Sequence, residues 1–176
     1  MDSRILCLAS LLVLAFVPVP AAAEETSLTV RVLSADAKFI GSSMGGARVM
    51  IRDAATGELL AQGVTRGSTG DTERLMGTPR ERDTRLATPG AAAFETVLHL
   101  DEPTLLEITA EGPLAQRQAA VSASTTRWVV PGKGLAGGDG VVLELSGFVV
   151  DVLEPAAHSS VTGEQEVEVH VNLTML

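Results

Sequence analysis

The stretch from Gly45 to Thr65 constrains this chain most, because it has the pattern of two β-strands joined by a tight turn. In the first arm, residues 47–53, the side chains alternate in character with the period of two that marks a strand with one buried face. The second arm spans residues 58–65. Between the arms, Gly57 allows the positive φ angle that a tight turn requires, and Asp53 can hydrogen-bond the turn backbone. We therefore predict a β-hairpin against which the other strands assemble.

The N-terminal residues have the features of an export signal. Arg4 gives a weakly basic start, Ile5–Val17 is almost unbroken apolar sequence, and small residues close the segment at Ala21-Ala22-Ala23. The apolar run is shorter than the roughly 20 residues that a membrane-spanning helix needs. We expect cleavage after Ala23, a periplasmic or secreted location, and no retained membrane span.

Composition limits the partners that this chain can have. Cys7 is the one cysteine and lies inside the leader, so the exported part would have no disulfide and must depend on its own core. The formal net charge of −9 disfavours nucleic acid and anionic membranes, because both require a basic surface. One Trp and no Tyr disfavour a sugar-binding surface, since such surfaces stack sugars on these side chains.

Further strand patterns follow at regular spacing, with turn-forming residues between them. They cover residues 28–33, 93–100, 104–111, 116–130, 141–145, 148–153 and 166–173. Apart from a short helical turn at Thr72–Met76, no helical pattern is visible in the exported part, and parallel strands need crossover connections that are usually helices. The sequence therefore predicts an all-β fold, an antiparallel β-sandwich with one long inserted loop.

Two segments resemble known families. The run G-A-R-V-M-I-R-D-A-A-T-G-E-L-L-A-Q-G-V-T resembles the opening hairpin of carboxypeptidase regulatory-like domains. This resemblance implies a transthyretin-like sandwich and a non-catalytic module, as most such domains are. The segment 148–173 resembles the first two strands of an immunoglobulin-like module. We expect a leader at 1–23, the sandwich at 24–146, and terminal strands at 147–176 that either complete the sandwich or begin a truncated immunoglobulin-like module.

The inserted loop at residues 67–92 is the first candidate for a binding surface, because connections of this length are either functional or disordered. Its arginines suit carboxylates and phosphates, and apolar residues in a polar loop suggest docking. We predict that another exported protein is contacted by Arg66, Arg74, Leu75, Met76, Arg80, Arg82 and Arg85. The alternative is a solvated loop in which these arginines pair with Asp71, Glu73, Glu81 and Asp83. The terminal strand is a second candidate, since a free edge can pair with another chain.

Residues that could support catalysis or hold a metal are few and scattered. No Gly-x-Ser-x-Gly elbow and no Gly-Lys-Ser/Thr phosphate loop occurs, so we expect no catalytic residue and no cofactor. Imidazole and thioether groups suit copper, which leaves a periplasmic metal or small-ligand carrier as the alternative function. Its ligands would come from His99, His158, His170, Met44, Met50 and Met76, although their spacing matches no metal motif.

Overall fold

The computed structural model describes residues 22–79, 81–82, 84–164 and 166–175. Apart from Ala22 and Ala23, the predicted leader lies outside the described residues. The strands are β1 (Glu24–Ser34), β2 (Arg48–Asp53), β3 (Leu59–Val64), β4 (Phe94–Leu100), β5 (Thr104–Gly112), β6 (Val121–Val129), β7 (Val141–Leu145), β8 (Phe148–Glu154) and β9 (His170–Met175). Short 3-10 turns occupy Ser42–Met44 and Arg117–Ala119, and a π-helical turn occupies Glu73–Gly77. Within these described ranges, no helix is long and apolar enough to cross a membrane.

Two sheets pack together, which confirms the predicted all-β sandwich. The three-stranded sheet has the order β4-β1-β7, and the four-stranded sheet has the order β3-β2-β5-β6. One pair departs from the antiparallel pattern, because β1 and β7 run parallel, with Val30 opposite Val141. The sequence argument against parallel pairing is wrong for this pair. The long connection between β1 and β7 passes through the four-stranded sheet, so it needs no crossover helix.

The hairpin of β2 and β3 has the predicted turn. The Asp53 carboxylate accepts hydrogen bonds from the backbone N–H groups of Ala55 at 2.7 Å and Thr56 at 2.9 Å. Gly57 has a φ angle of 76°, which is the left-handed conformation that the turn requires. The N–H groups of Thr56 and Ala55 lower the pKa of Asp53, because both bonds favour the charged carboxylate.

The main core fills the space between the two sheets. Inward-facing residues of β1, β2, β5 and β7 supply most of it, as the alternation of side chains along a strand requires. Its fully buried members include Val30, Val32, Val49, Ile51, Leu106 and Ile108. Burial on this scale, without a disulfide, makes hydrophobic packing the main source of stability.

The last two strands form a separate two-stranded sheet. β8 follows β7 after Ser146 and Gly147, and its Val149 is 2% exposed and belongs to the main core. β8 and β9 pair with each other rather than with either sheet of the sandwich. We call residues 148–175 the terminal hairpin.

Candidate functional site

The insertion, residues 67–92, is closed at its base by backbone hydrogen bonds. Arg66 and Ala93 exchange two such bonds, at 2.9 and 3.0 Å, and the Ser68 N–H donates to the Gly90 carbonyl at 2.8 Å. These bonds bring the two ends of a long segment together beside β3 and β4. The insertion is therefore a long loop whose two ends are held together by backbone hydrogen bonds.

Leu75 docks the insertion onto the sandwich. Its side chain is 2% exposed and packs in a second, smaller core with Leu33 of β1, Phe39 and three alanines of the insertion. Leu75 therefore covers an apolar patch of its own molecule, and the contact of this side chain with a partner stays a prediction. The adjacent Met76 is 42% exposed and is available at the surface.

Asp139, in the loop between β6 and β7, binds the C-terminal part of the insertion. Its carboxylate accepts the backbone N–H of Leu86 at 2.7 Å and that of Ala87 at 2.8 Å. The Nε atom of Arg85 lies 3.9 Å from the same carboxylate. Arg85 therefore has an acidic neighbour within its own molecule, as the alternative interpretation of the loop expects, although the neighbour comes from outside the loop.

Arg31 of β1 is a buried side chain that the sequence analysis missed. Its Nη1 donates to the carbonyls of Ala91 at 2.5 Å and Ala92 at 2.9 Å, and its guanidinium lies 5.8 Å from the centre of the Phe39 ring. Alternation along β1 places Arg31 on the side of the sheet opposite the main core. The insertion then covers that side, which buries the arginine.

Arg74 lies in a cleft of about 540 Å³ within the insertion. The acidic residues Asp71, Glu73 and Glu81 line the same cleft. The Asp71 carboxylate also accepts the backbone N–H of Arg74 at 3.1 Å, which starts the π-helical turn. The cleft has mixed charge, and Arg74 is the one arginine among the described residues that line it, whereas phosphate recognition usually takes several converging arginines.

The other described arginines of the predicted contact surface are exposed. Arg66 lines a second cleft of about 710 Å³, together with Arg31 and Glu95. Arg80 lies outside the described residues. Arg66 and Arg74 therefore line different clefts.

The terminal hairpin has one apolar face. Three cross-strand pairs form it: Phe148 with Met175, Val150 with Leu173, and Val152 with Val171. We call these six residues the apolar face. Their side chains are between 45% and 61% exposed, whereas Val149 on the opposite side of β8 reaches the main core. The apolar face is thus directed away from the sandwich and is uncovered.

The apolar pattern continues beyond β9 towards the N-terminus. Val167 and Val169 are 44% and 56% exposed, and they keep the alternation that leads into the strand. The residues between the apolar ones are polar, namely Glu168, His170, Asn172 and Thr174. β9 itself begins at His170, so Val167 and Val169 continue the apolar alternation in the sequence ahead of the strand.

His170 contacts two carboxylates at the far end of the terminal hairpin. Its Nδ1 lies 3.1 Å from Glu154, and its Nε2 lies 3.0 Å from Glu168. His99 lies on β4, and His158 lies in the connection between β8 and β9. Across the part of the chain that the structure describes, no three His, Cys, Asp or Glu side chains are placed to hold a metal.

No family model, curated protein or solved structure matches this chain. The resemblance to carboxypeptidase regulatory-like domains and to immunoglobulin-like modules therefore stays a prediction from the sequence.

Of the two candidate surfaces, the terminal hairpin exposes more large apolar side chains. The insertion buries Leu75 in the second core. Carboxylates lie near its Arg74 and Arg85. The alternation from 167 to 175 is visible in the sequence, and it indicates a strand with one apolar side. The sequence does not show that β9 pairs with β8 alone, which leaves that side uncovered.

Proposed function

We propose that this protein is an exported, non-catalytic β-sandwich module that binds another protein through the apolar face of its terminal hairpin. The observation that carries this proposal is a set of six apolar side chains, each 45% to 61% exposed, aligned in three cross-strand pairs. Contiguous exposed apolar patches mark interaction sites on soluble proteins, because water disfavours them and a partner relieves that cost.

The sandwich acts as the scaffold for this surface. Val149 inserts into the main core, so it fixes the base of the hairpin while the opposite face stays outward. Recognition surfaces held by a rigid sandwich keep their shape on binding, which limits the loss of conformational entropy. The unpaired outer backbone edges of β8 and β9 offer a second means of contact, since a partner strand can extend this small sheet.

Selective capture from an extract of exported proteins tests the proposal. The bait is the full chain, compared with Leu173→Asp on the apolar face and Asn172→Asp on the opposite face. Asn172→Asp adds the same carboxylate on the adjacent residue, opposite Asp151 of β8, so it is a stringent control: it adds the charge, and a cross-strand repulsion, without changing the apolar face. We expect the wild type and Asn172→Asp to retain a protein at defined stoichiometry and Leu173→Asp to lose it.

A further pair of variants separates the two candidate surfaces. Met76→Asp and Arg74→Ala change exposed residues of the insertion and leave the terminal hairpin untouched. Binding that survives Leu173→Asp but is lost with these two variants would place the contact on the insertion and contradict the proposal.

A further inference from the structure

We infer that the apolar face binds a second copy of this chain, with the two terminal hairpins packed face to face about a twofold axis. The inference rests on the proposed function, since it names the partner for the same surface. Three observations carry it: the size of the face, its chemistry, and the exposure of this face on a sheet of only two strands.

The size of the apolar face suits a stable homodimer. Half-exposed side chains of these six types present about 600 Å² per copy to solvent. Two copies that cover each other's face would then bury up to about 1,200 Å² in total, which is the lower end of the range for specific protein–protein interfaces. The six residues alone therefore reach the size that a specific interface needs.

The chemistry of the apolar face makes it complementary to itself. None of its six residues carries a charge or a hydrogen-bonding side-chain group, apart from the weak thioether acceptor of Met175. An identical face can therefore cover it without leaving a buried polar group unpaired. A twofold interface uses the same patch on both copies, and Val150 with Leu173, the central pair, would lie nearest the axis.

A two-stranded sheet needs a cover in order to be stable. An isolated hairpin is marginal in water, whereas packed sheets about 10 Å apart bury their inner faces. Here Val149, on one side of the hairpin, packs into the main core of the sandwich. The other side of the hairpin is the uncovered apolar face. A second hairpin would turn the pair into a small four-stranded sandwich with its own core.

The charges around the apolar face predict how this association responds to salt. Glu154, Glu166 and Glu168 lie at the far end of the hairpin, and the chain has a formal net charge of −9. Two copies therefore repel each other at long range, and salt screens that repulsion. We expect self-association to strengthen several-fold between low and high ionic strength. A basic partner would respond in the opposite direction.

Sedimentation equilibrium of the full chain over the micromolar range tests the inference. We expect a dimer for the wild type and for Asn172→Asp. Leu173→Asp should weaken dimerisation by at least about 100-fold, because each copy would place a carboxylate in an apolar interface. Val150→Asp, on the neighbouring strand, provides an independent second disruption. Circular dichroism of each variant checks that the sandwich, whose core lies mainly in residues 28–145, is still folded.

Two results would overturn the second copy as partner: a monomeric wild type throughout this range, or a dimer that Leu173→Asp and Val150→Asp leave intact. The capture experiment separates this failure from failure of the proposed function. A monomeric wild type that captures a different protein, and loses it with Leu173→Asp, overturns self-association alone. A monomeric wild type with no capture that depends on Leu173 overturns both.

Discussion

Arg31 joins the insertion to the sandwich through one guanidinium group. Replacing it with alanine removes two charge-assisted hydrogen bonds and leaves the carbonyls of Ala91 and Ala92 without these donors. We expect Arg31→Ala to lower the free energy of unfolding by about 1.5–3 kcal/mol, the range for hydrogen bonds to charged groups. Urea denaturation followed by circular dichroism measures this change.

Arg48 is the matched control for Arg31. It contacts Glu111 at 3.5 Å on the surface, where the two side chains are 51% and 42% exposed. Exposed ion pairs contribute between zero and about 1 kcal/mol, so Arg48→Ala should have a small effect. Equal losses for the two alanine variants would contradict the role assigned to Arg31.

Asp53 predicts a pH dependence of stability. Its pKa lies below the ordinary value of 3.8 in the folded chain, because the N–H groups of Thr56 and Ala55 bind the carboxylate. A folded-state pKa that is lowered gives stability that is present above the unfolded pKa and is lost as pH falls through the folded pKa. The β2–β3 hairpin should therefore weaken below about pH 4.

Asp53→Asn tests this dependence, because the amide keeps an acceptor oxygen but does not titrate in this range. Urea unfolding between neutral and acid pH should show a smaller loss of stability for Asp53→Asn than for the wild type. Parallel pH profiles for the two proteins would show that Asp53 does not contribute.

These two residues differ in how far a sequence can predict them. Asp53 bonds to residues two and three positions ahead, so the local pattern before Gly57 predicts its role. Arg31 bonds to residues 60 and 61 positions away. Its sequence neighbourhood is that of an ordinary outward-facing strand residue, and only the folded insertion buries it.

At the scale of elements, Leu75 determines whether the insertion stays on the sheet. Leu75→Ala leaves a cavity beside Phe39 in the second core, which should cost about 2–4 kcal/mol of local stability. The main core is a separate cluster, so the sandwich should remain folded. We expect trypsin to cleave the native variant faster than the wild type, at arginines of the insertion.

Met76→Ala is the control for this cleavage assay. Met76 follows Leu75 directly but is 42% exposed, so its truncation should change the cleavage rate little. Mass spectrometry of the early fragments identifies the cut sites. Unchanged cleavage in Leu75→Ala would contradict the docking of the insertion through this side chain.

Elements with local signals were predicted well, and elements that depend on distant contacts were not. The β2–β3 hairpin lies within one residue of its predicted bounds, because alternation and turn chemistry both act over a few residues. The parallel pairing of β1 with β7 joins residues more than a hundred positions apart, and no local pattern encodes it. Likewise, the sequence shows that Leu75 needs a cover but not that β1 and Phe39 supply it.

At the scale of the whole molecule, the two candidate surfaces have opposite characters. The insertion is held against the sandwich by Arg31, Leu75 and Asp139, so these contacts are already made within the molecule. The terminal hairpin contributes Val149 to the core and presents its apolar face outward. We therefore expect binding to cover the terminal hairpin and to leave the insertion exposed.

Oxidative footprinting of two methionines distinguishes binding at the terminal hairpin from binding at the insertion. Met175 lies on the apolar face and Met76 lies on the insertion, and they are similarly exposed in the single chain, at 45% and 42%. Peroxide oxidises accessible methionines, and mass spectrometry reads both sites in one sample. The measurement compares dilute wild-type protein with concentrated protein, and with protein bound to its captured partner.

We expect oxidation of Met175 to slow several-fold in the associated protein, while Met76 reacts at an unchanged rate. In Leu173→Asp, both methionines should react at the rates of the dilute protein under every condition. Protection of Met76 with continued oxidation of Met175 would place the contact on the insertion and not on the terminal hairpin.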